Sequence, residues 1–121
     1  MTIDNYLYQH RIPHAYESPV IFYKYQNKTI YCDFYLPEQD TYIEYFGKLD
    51  DPVYLKRAED KILMYESNGL NLVCMDSDDI KRVDKFLSRF LADFETYTDN
   101  DKPFTYSRQK SIFRALTSCP D

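Results

Sequence analysis

Apolar positions change their spacing several times along this chain, and each change marks an expected element. Ile3, Tyr6 and Leu7 stand at i, i+3, i+4 spacing, as on one helix face, so a short helix is expected over residues 2–10, ending before Pro13. The run PVIFYKY (19–25) is β-branched and aromatic and predicts a strand. Gln26-Asn27-Lys28 then turns the chain into a second strand, KTIYCDFYL. Pro37-Glu38-Gln39-Asp40 is another turn signal, after which TYIEYFG predicts a third strand that stops at Gly47. Three antiparallel strands in a row are expected.

After Gly47 the period lengthens. Asp50-Asp51-Pro52 offers an N-cap followed by Pro in the first turn, and Asn68-Gly69 a stop, which predicts a helix over 53–67. Its apolar stripe is Leu55, Ala58, Ile62 and Tyr65, and LNLVCM (70–75) reads as a buried fourth strand reached by a crossover. DSDD (76–79) caps a further helix with Ile80, Val83, Leu87, Phe90 and Leu91 on one face. ETYTDNDKP (95–103) is polar and reads as loop, and Ile112, Phe113 and Leu116 mark a short outer helix. No internal repeat or low-complexity run occurs. The order α-β-β-β-α-β-α predicts a mixed sheet with helices against it, in the α/β (α+β) class. Residues 1–94 are expected to form the domain, with 95–121 a C-terminal loop and short helix packed on it.

Composition narrows the functional classes. At 121 residues the chain suits one domain. With 29% charged, 44% hydrophobic and 17% aromatic residues it is no disordered tail or collagen-like repeat, and its net charge of −5 excludes a histone-like basic protein. That charge also opposes avid nonspecific nucleic-acid binding, while leaving room for a local basic face. Cys32, Cys74 and Cys119 are odd in number and lack a CxxC or His partner, so they read as reduced core or tail thiols in a cytoplasmic protein. MTIDNYLYQHR has neither the basic nor the apolar region of a signal peptide, and nowhere do eighteen apolar residues run together, so neither export nor membrane insertion is expected.

Two carboxylates are out of place in this pattern. Asp33 and Glu44 lie inside runs otherwise made of Tyr, Phe, Ile and Cys, where desolvating a charge costs several kcal/mol unless something compensates. If Pro37–Asp40 is the loop, Leu36 faces Thr41 and Asp33 falls directly opposite Glu44. Such partners have Cβ atoms about 4.5–5.5 Å apart, so two like charges would repel unless a cation lay between them. A divalent ion removes the conflict, and two hard carboxylates with water and phosphate oxygens suit Mg²⁺ or Mn²⁺ better than zinc. Singly, each would ordinarily be solvated or paired, and a one-residue slip would part them. Lys61 sits beside the apolar stripe of its helix, at the edge between core and solvent, and can look toward the sheet; an isolated helix Lys there ordinarily snorkels. Arg57 and Lys48 could touch phosphate, although most such residues are only solvated charges.

Other signals are weaker. His10 and His14 are four apart but lack an HExxH context, and Pro13 interrupts a shared face, so they read as structural or surface residues. With two Gly and no GxxxxGK[ST], GxGxxG or GxSxG, a phosphate-cradling loop is excluded. The tyrosines could stack on bases, but Tyr at alternate strand positions is ordinarily half-buried packing.

YCDFYLP (31–37), YIEYFG (42–47) and Tyr54…Arg57…Lys61…Tyr65 together resemble the restriction-endonuclease-like PD-(D/E)xK nuclease superfamily. The branch they resemble is related to very-short-patch repair endonucleases and to helicase-linked nuclease domains, and IDNYLYQHRIPHAYE (3–17) is similar to it as well. The resemblance covers about residues 3–92. It implies an αβββαβ core, metal binding by Asp33 and Glu44, and magnesium-dependent endonuclease activity on DNA by in-line attack of water on a phosphodiester. The Lys usual two residues after the Glu is replaced by Phe46; members lacking it often recruit a helix Lys, a place Lys61 fits. A Glu common on the first helix, before the IDN-like segment, is also missing, which leaves Asp4 or water in its role, the Glu dispensable, or the start a shortened one. Arg57 and Lys48, or a DNA-binding or helicase partner, would bring the DNA in, and an oligomer would suit double-strand cutting. The alternatives are a catalytically weak nuclease-like module used for binding or assembly, and a plain acidic interaction protein with solvated carboxylates.

Overall fold

The structure, a computed structural model, describes residues 1–97 and 103–108. Its elements are α1 (Ile3–Gln9), β1 (Ala15–Tyr16), β2 (Pro19–Phe22), β3 (Lys28–Tyr31), β4 (Phe34–Leu36), β5 (Thr41–Phe46), α2 (Pro52–Ser67), β6 (Asn71–Asp76), α3 (Ser77–Lys81), α4 (Val83–Thr96) and β7 (Thr105–Tyr106). The larger sheet has the order β1-β4-β5-β6-β7, and β2 pairs with β3 in a separate two-stranded sheet. This is a mixed α+β architecture, because β4 and β5 are antiparallel whereas β5, β6 and β7 run parallel.

β5 is the middle strand, so its side chains must satisfy two faces at once. Ile43 packs with Phe34, Leu36, Val73 and Met75 against α1 and α4. Phe46 on the opposite face packs with Leu72, Cys74 and the Ala58, Ile62 and Tyr65 stripe of α2. The Pro37–Asp40 turn sets the register as the sequence implies: Leu36 faces Thr41, and Phe34 faces Ile43. α2 is the crossover to β6, started by the Asp51 carboxylate accepting from the Val53 and Tyr54 N–H groups, with Pro52 in the first turn.

Four expectations need correcting. PVIFYKY is a strand only as far as Phe22, after which Tyr23–Tyr25 form a 3₁₀ turn and Gln26 and Asn27 take positive φ. The Lys24 N–H goes to Oδ1 of Asn68, the C-terminal cap of α2, so this backbone is tied to a helix end rather than a ladder. KTIYCDFYL is two strands in two sheets, parted at Cys32-Asp33; opposite the break Glu17 has positive φ, and its N–H bonds the Asp33 carbonyl. The helix expected from residue 80 is two helices, broken at Arg82. Finally, the sequence pattern predicts no strand at residues 104–106, yet β7 pairs with β6 and Phe104 and Tyr106 pack on Phe90. The expected short helix around Ile112, Phe113 and Leu116 lies outside the described residues, as does Cys119. Cys32 and Cys74 are free and buried. Among the described residues no helix is long and apolar enough to cross a membrane.

Candidate active site

Strand alternation turns Glu44 onto the α2 face of the sheet, where it is only 2% exposed. An anion there needs compensation, and α2 supplies it from two residues one turn apart. Lys61 Nζ lies 3.0 Å from Glu44 Oε2, and the Tyr65 hydroxyl donates to the same oxygen at 2.7 Å. Lys61 remains 30% exposed, so it reaches the carboxylate from the solvent edge of the helix. Tyr65 is fully buried, its ring edge-on to Phe22 at 5.2 Å and tilted against Tyr42 at 5.6 Å. Both contacts fall on Oε2, and among the described residues no bond to Oε1 is seen.

Asp33 occupies the link between β3 and β4, at the position that continues the β4–β5 register opposite Glu44. Its Oδ2 accepts the Tyr45 N–H at 2.6 Å, satisfying a β5 donor where the ladder has ended. The two carboxylates feel each other. Burial pushes the Glu44 pKa up, Lys61 and the Tyr65 hydrogen bond pull it down, and the Asp33 charge pushes it up again. Burial raises the Cys32 thiol to about 11, with Glu44 the next cause.

Thus Glu44, Lys61 and Asp33 are brought together, whereas Arg57 and Lys48 are exposed outside the cluster. Asp4 is engaged elsewhere: its Oδ1 lies 2.9 Å from His14 Nε2, and α1 packs on the sheet face opposite α2. His10 stacks on Tyr6, in keeping with a structural role.

Sequence reasoning placed Tyr65 only in the apolar stripe and missed its hydroxyl. The signal was there: Tyr65 is four residues after Lys61, hence on the same helical face. DSDD caps a helix as its sequence predicts, but its ion pair was not foreseen. Asp76 and Asp79 form a capping box at the start of α3, and the buried Asp79 carboxylate takes Arg108 Nε at 2.8 Å. Burial raises the Asp79 pKa against the pull of the Asp76 N–H and Arg108. Nothing in the local pattern foretells that Arg108, 29 residues away, returns to it. Asp76 and Asp78 also line an open groove at the ends of β5 and β6 with Phe46, Gly47, Leu49 and Asp50.

Among the described residues no three His, Cys, Asp or Glu side chains converge on one point as a metal cage. The acidic pair with an adjoining cation is therefore the arrangement from which a function must be argued. No family model matches this chain, and neither the curated proteins nor the solved structures compared with it contain a match.

Proposed function

We propose that the protein is a divalent-metal-dependent nuclease that hydrolyses DNA phosphodiester bonds, of the PD-(D/E)xK kind that its motifs resemble. The observation that carries this reading is the burial of Glu44 in an apolar wall with Lys61 3.0 Å from it and Asp33 within electrostatic reach. A purely structural strand would gain by placing an apolar side chain there.

The donor set fits an ion of the Mg²⁺ or Mn²⁺ type. One oxygen of each carboxylate is already engaged, Oδ2 by Tyr45 and Oε2 by α2, which leaves one hard oxygen on each residue. Two protein oxygens, with the remaining positions left to water and phosphate, are what Mg²⁺ accepts. Such an ion, when bound, lowers the pKa of water and offsets charge growing on the phosphoryl group. The chain's own residues do the rest. Tyr65 and Lys61 fix the rotamer of Glu44, and the Tyr45 N–H fixes Asp33. Lys61 carries the nearest positive charge, on an ammonium that is part-exposed and able to meet a phosphate oxygen or orient an attacking water. Arg57 and Lys48 are solvent-exposed.

Incubation with plasmid DNA and Mg²⁺ or Mn²⁺ should give nicked or linear product, and Asp33→Ala and Glu44→Ala should each abolish it. Equal cleavage by wild type and variants would refute the assignment. A second reading, a module that binds or assembles without cutting, is favoured by the placement of Asp4, which meets His14 on the sheet face away from Glu44. Calorimetric metal binding lost in Glu44→Gln, with no cleavage by the wild type, would select it.

A further inference from the structure

The β2–β3 hairpin carries side chains that the fold does not use. Its inward face, Val20, Phe22 and Ile30, packs in the same core as Tyr65. Its outward face pairs Pro19 with Tyr31 and Ile21 with Thr29, and the 3₁₀ turn adds Tyr23. Tyr31 is 66% and Tyr23 74% exposed, so neither follows the half-buried pattern ordinary for strand tyrosines. Charge is equally uneven. Residues 18–32 contain Lys24 and Lys28 and no Asp or Glu, in a chain whose net charge is −5. The hairpin is also held firmly against α2, through Lys24 N–H to Asn68 and Phe22 against Tyr65, and it leads within two residues of Tyr31 into Asp33.

We infer that this hairpin is a holding arm for single-stranded DNA, with Tyr31, two residues from Asp33, and Tyr23 stacking on unpaired bases and Lys24 and Lys28 meeting the backbone at the turn end of the hairpin. The choice of DNA rests on the nuclease reading; the choice of an unpaired strand rests on the hairpin. A duplex hides its base faces, and strong duplex binding uses six to ten phosphate contacts or so, which two lysines on an acidic protein do not provide. Stacking supplies affinity that needs little charge and tolerates any base. The patch does not read as a protein-docking face, because Ile21 is its one branched aliphatic side chain and its other members are Tyr, Thr and Pro, with Lys24 in the adjoining turn.

The test is fluorescence anisotropy in EDTA, where binding is separated from cleavage, with a short mixed-sequence labelled DNA strand, its duplex and the same strand as RNA. The single DNA strand should bind tightest. Tyr31→Ala and Tyr23→Ala should each weaken it by at least about fivefold, and Lys24→Glu with Lys28→Glu should weaken it and flatten its salt dependence. Tyr8→Ala, which removes a 79% exposed tyrosine on α1, should change nothing. Tighter binding of duplex or RNA, no binding at low salt, or unchanged binding by the two hairpin Tyr variants would each overturn the inference. Glu44-dependent nicking alongside unaffected Tyr variants would overturn it alone. Tyr-dependent binding with no nicking would instead remove the hydrolytic reading and leave the hairpin's role standing.

Discussion

At the scale of single residues, Glu44 is subject to opposing effects, burial foremost among those that disfavour its charge and Lys61 foremost among those that favour it. Removing one partner of a buried ion pair leaves an uncompensated charge and costs about 3–5 kcal/mol; because Lys61 is part-exposed, about 2 kcal/mol is the better expectation for Lys61→Met. The sign with pH follows from the carboxyl. Burial already raises Glu44 above its ordinary value, and losing the ammonium raises it further, so the folded variant binds a proton that the unfolded chain has released. Stability tied to that proton is fully present below the unfolded carboxyl range and is lost as pH rises through the folded value. Lys61→Met should therefore match wild type near pH 4 in urea unfolding and fall progressively behind it toward neutrality. A pH-independent deficit would mean that lost packing, not charge, is responsible. The same balance explains what the sequence could reveal. Glu44 and Asp33 stood out because their strands are otherwise apolar, and Lys61 because it borders a stripe; the Tyr65 hydroxyl did not, since nothing in a helical pattern separates a Tyr that fills a core from one that also donates to an acid.

Elements were legible wherever one local rule governed them. α2 has a cap, an early Pro, a stripe and a stop, and it forms within a residue of where those signals place it. The β4–β5 register followed from a four-residue turn. The errors came where backbone groups are satisfied from a distance: the 3₁₀ turn tied to Asn68, the Asp33 link tied to Tyr45, and β7, which exists only because β6 offers it an edge. α2 matters most to the site, since it carries both groups that hold Glu44. Asp51→Ala, which removes the carboxylate accepting the Val53 and Tyr54 N–H groups, should cost about 1 kcal/mol and lower the melting temperature by about 3–6 °C. Asp51→Asn should recover most of that loss, and a loss shared equally by both variants would show that the cap is not the cause.

For the whole molecule, two apolar clusters on opposite faces of one sheet form the core, and neither Asp33 nor Glu44 is a member of them. The acids are instead a place where the native state stores repulsion, and a ligand that relieves it should stabilise the entire domain. A cation that binds the native but not the unfolded chain adds RT ln(1 + [L]/Kd), about 2.7 kcal/mol at a hundredfold excess over Kd. Mg²⁺ or Mn²⁺ should accordingly raise the melting temperature by several degrees at constant ionic strength, whereas matched NaCl, which screens exposed charges more than buried ones, should not. Asp33→Asn and Glu44→Gln each remove one of the two anions, and so should abolish the response to divalent ions while leaving the fold intact by circular dichroism. An equal rise in both variants would place the ion elsewhere, with the acidic groove at the ends of β5 and β6 the first place to look.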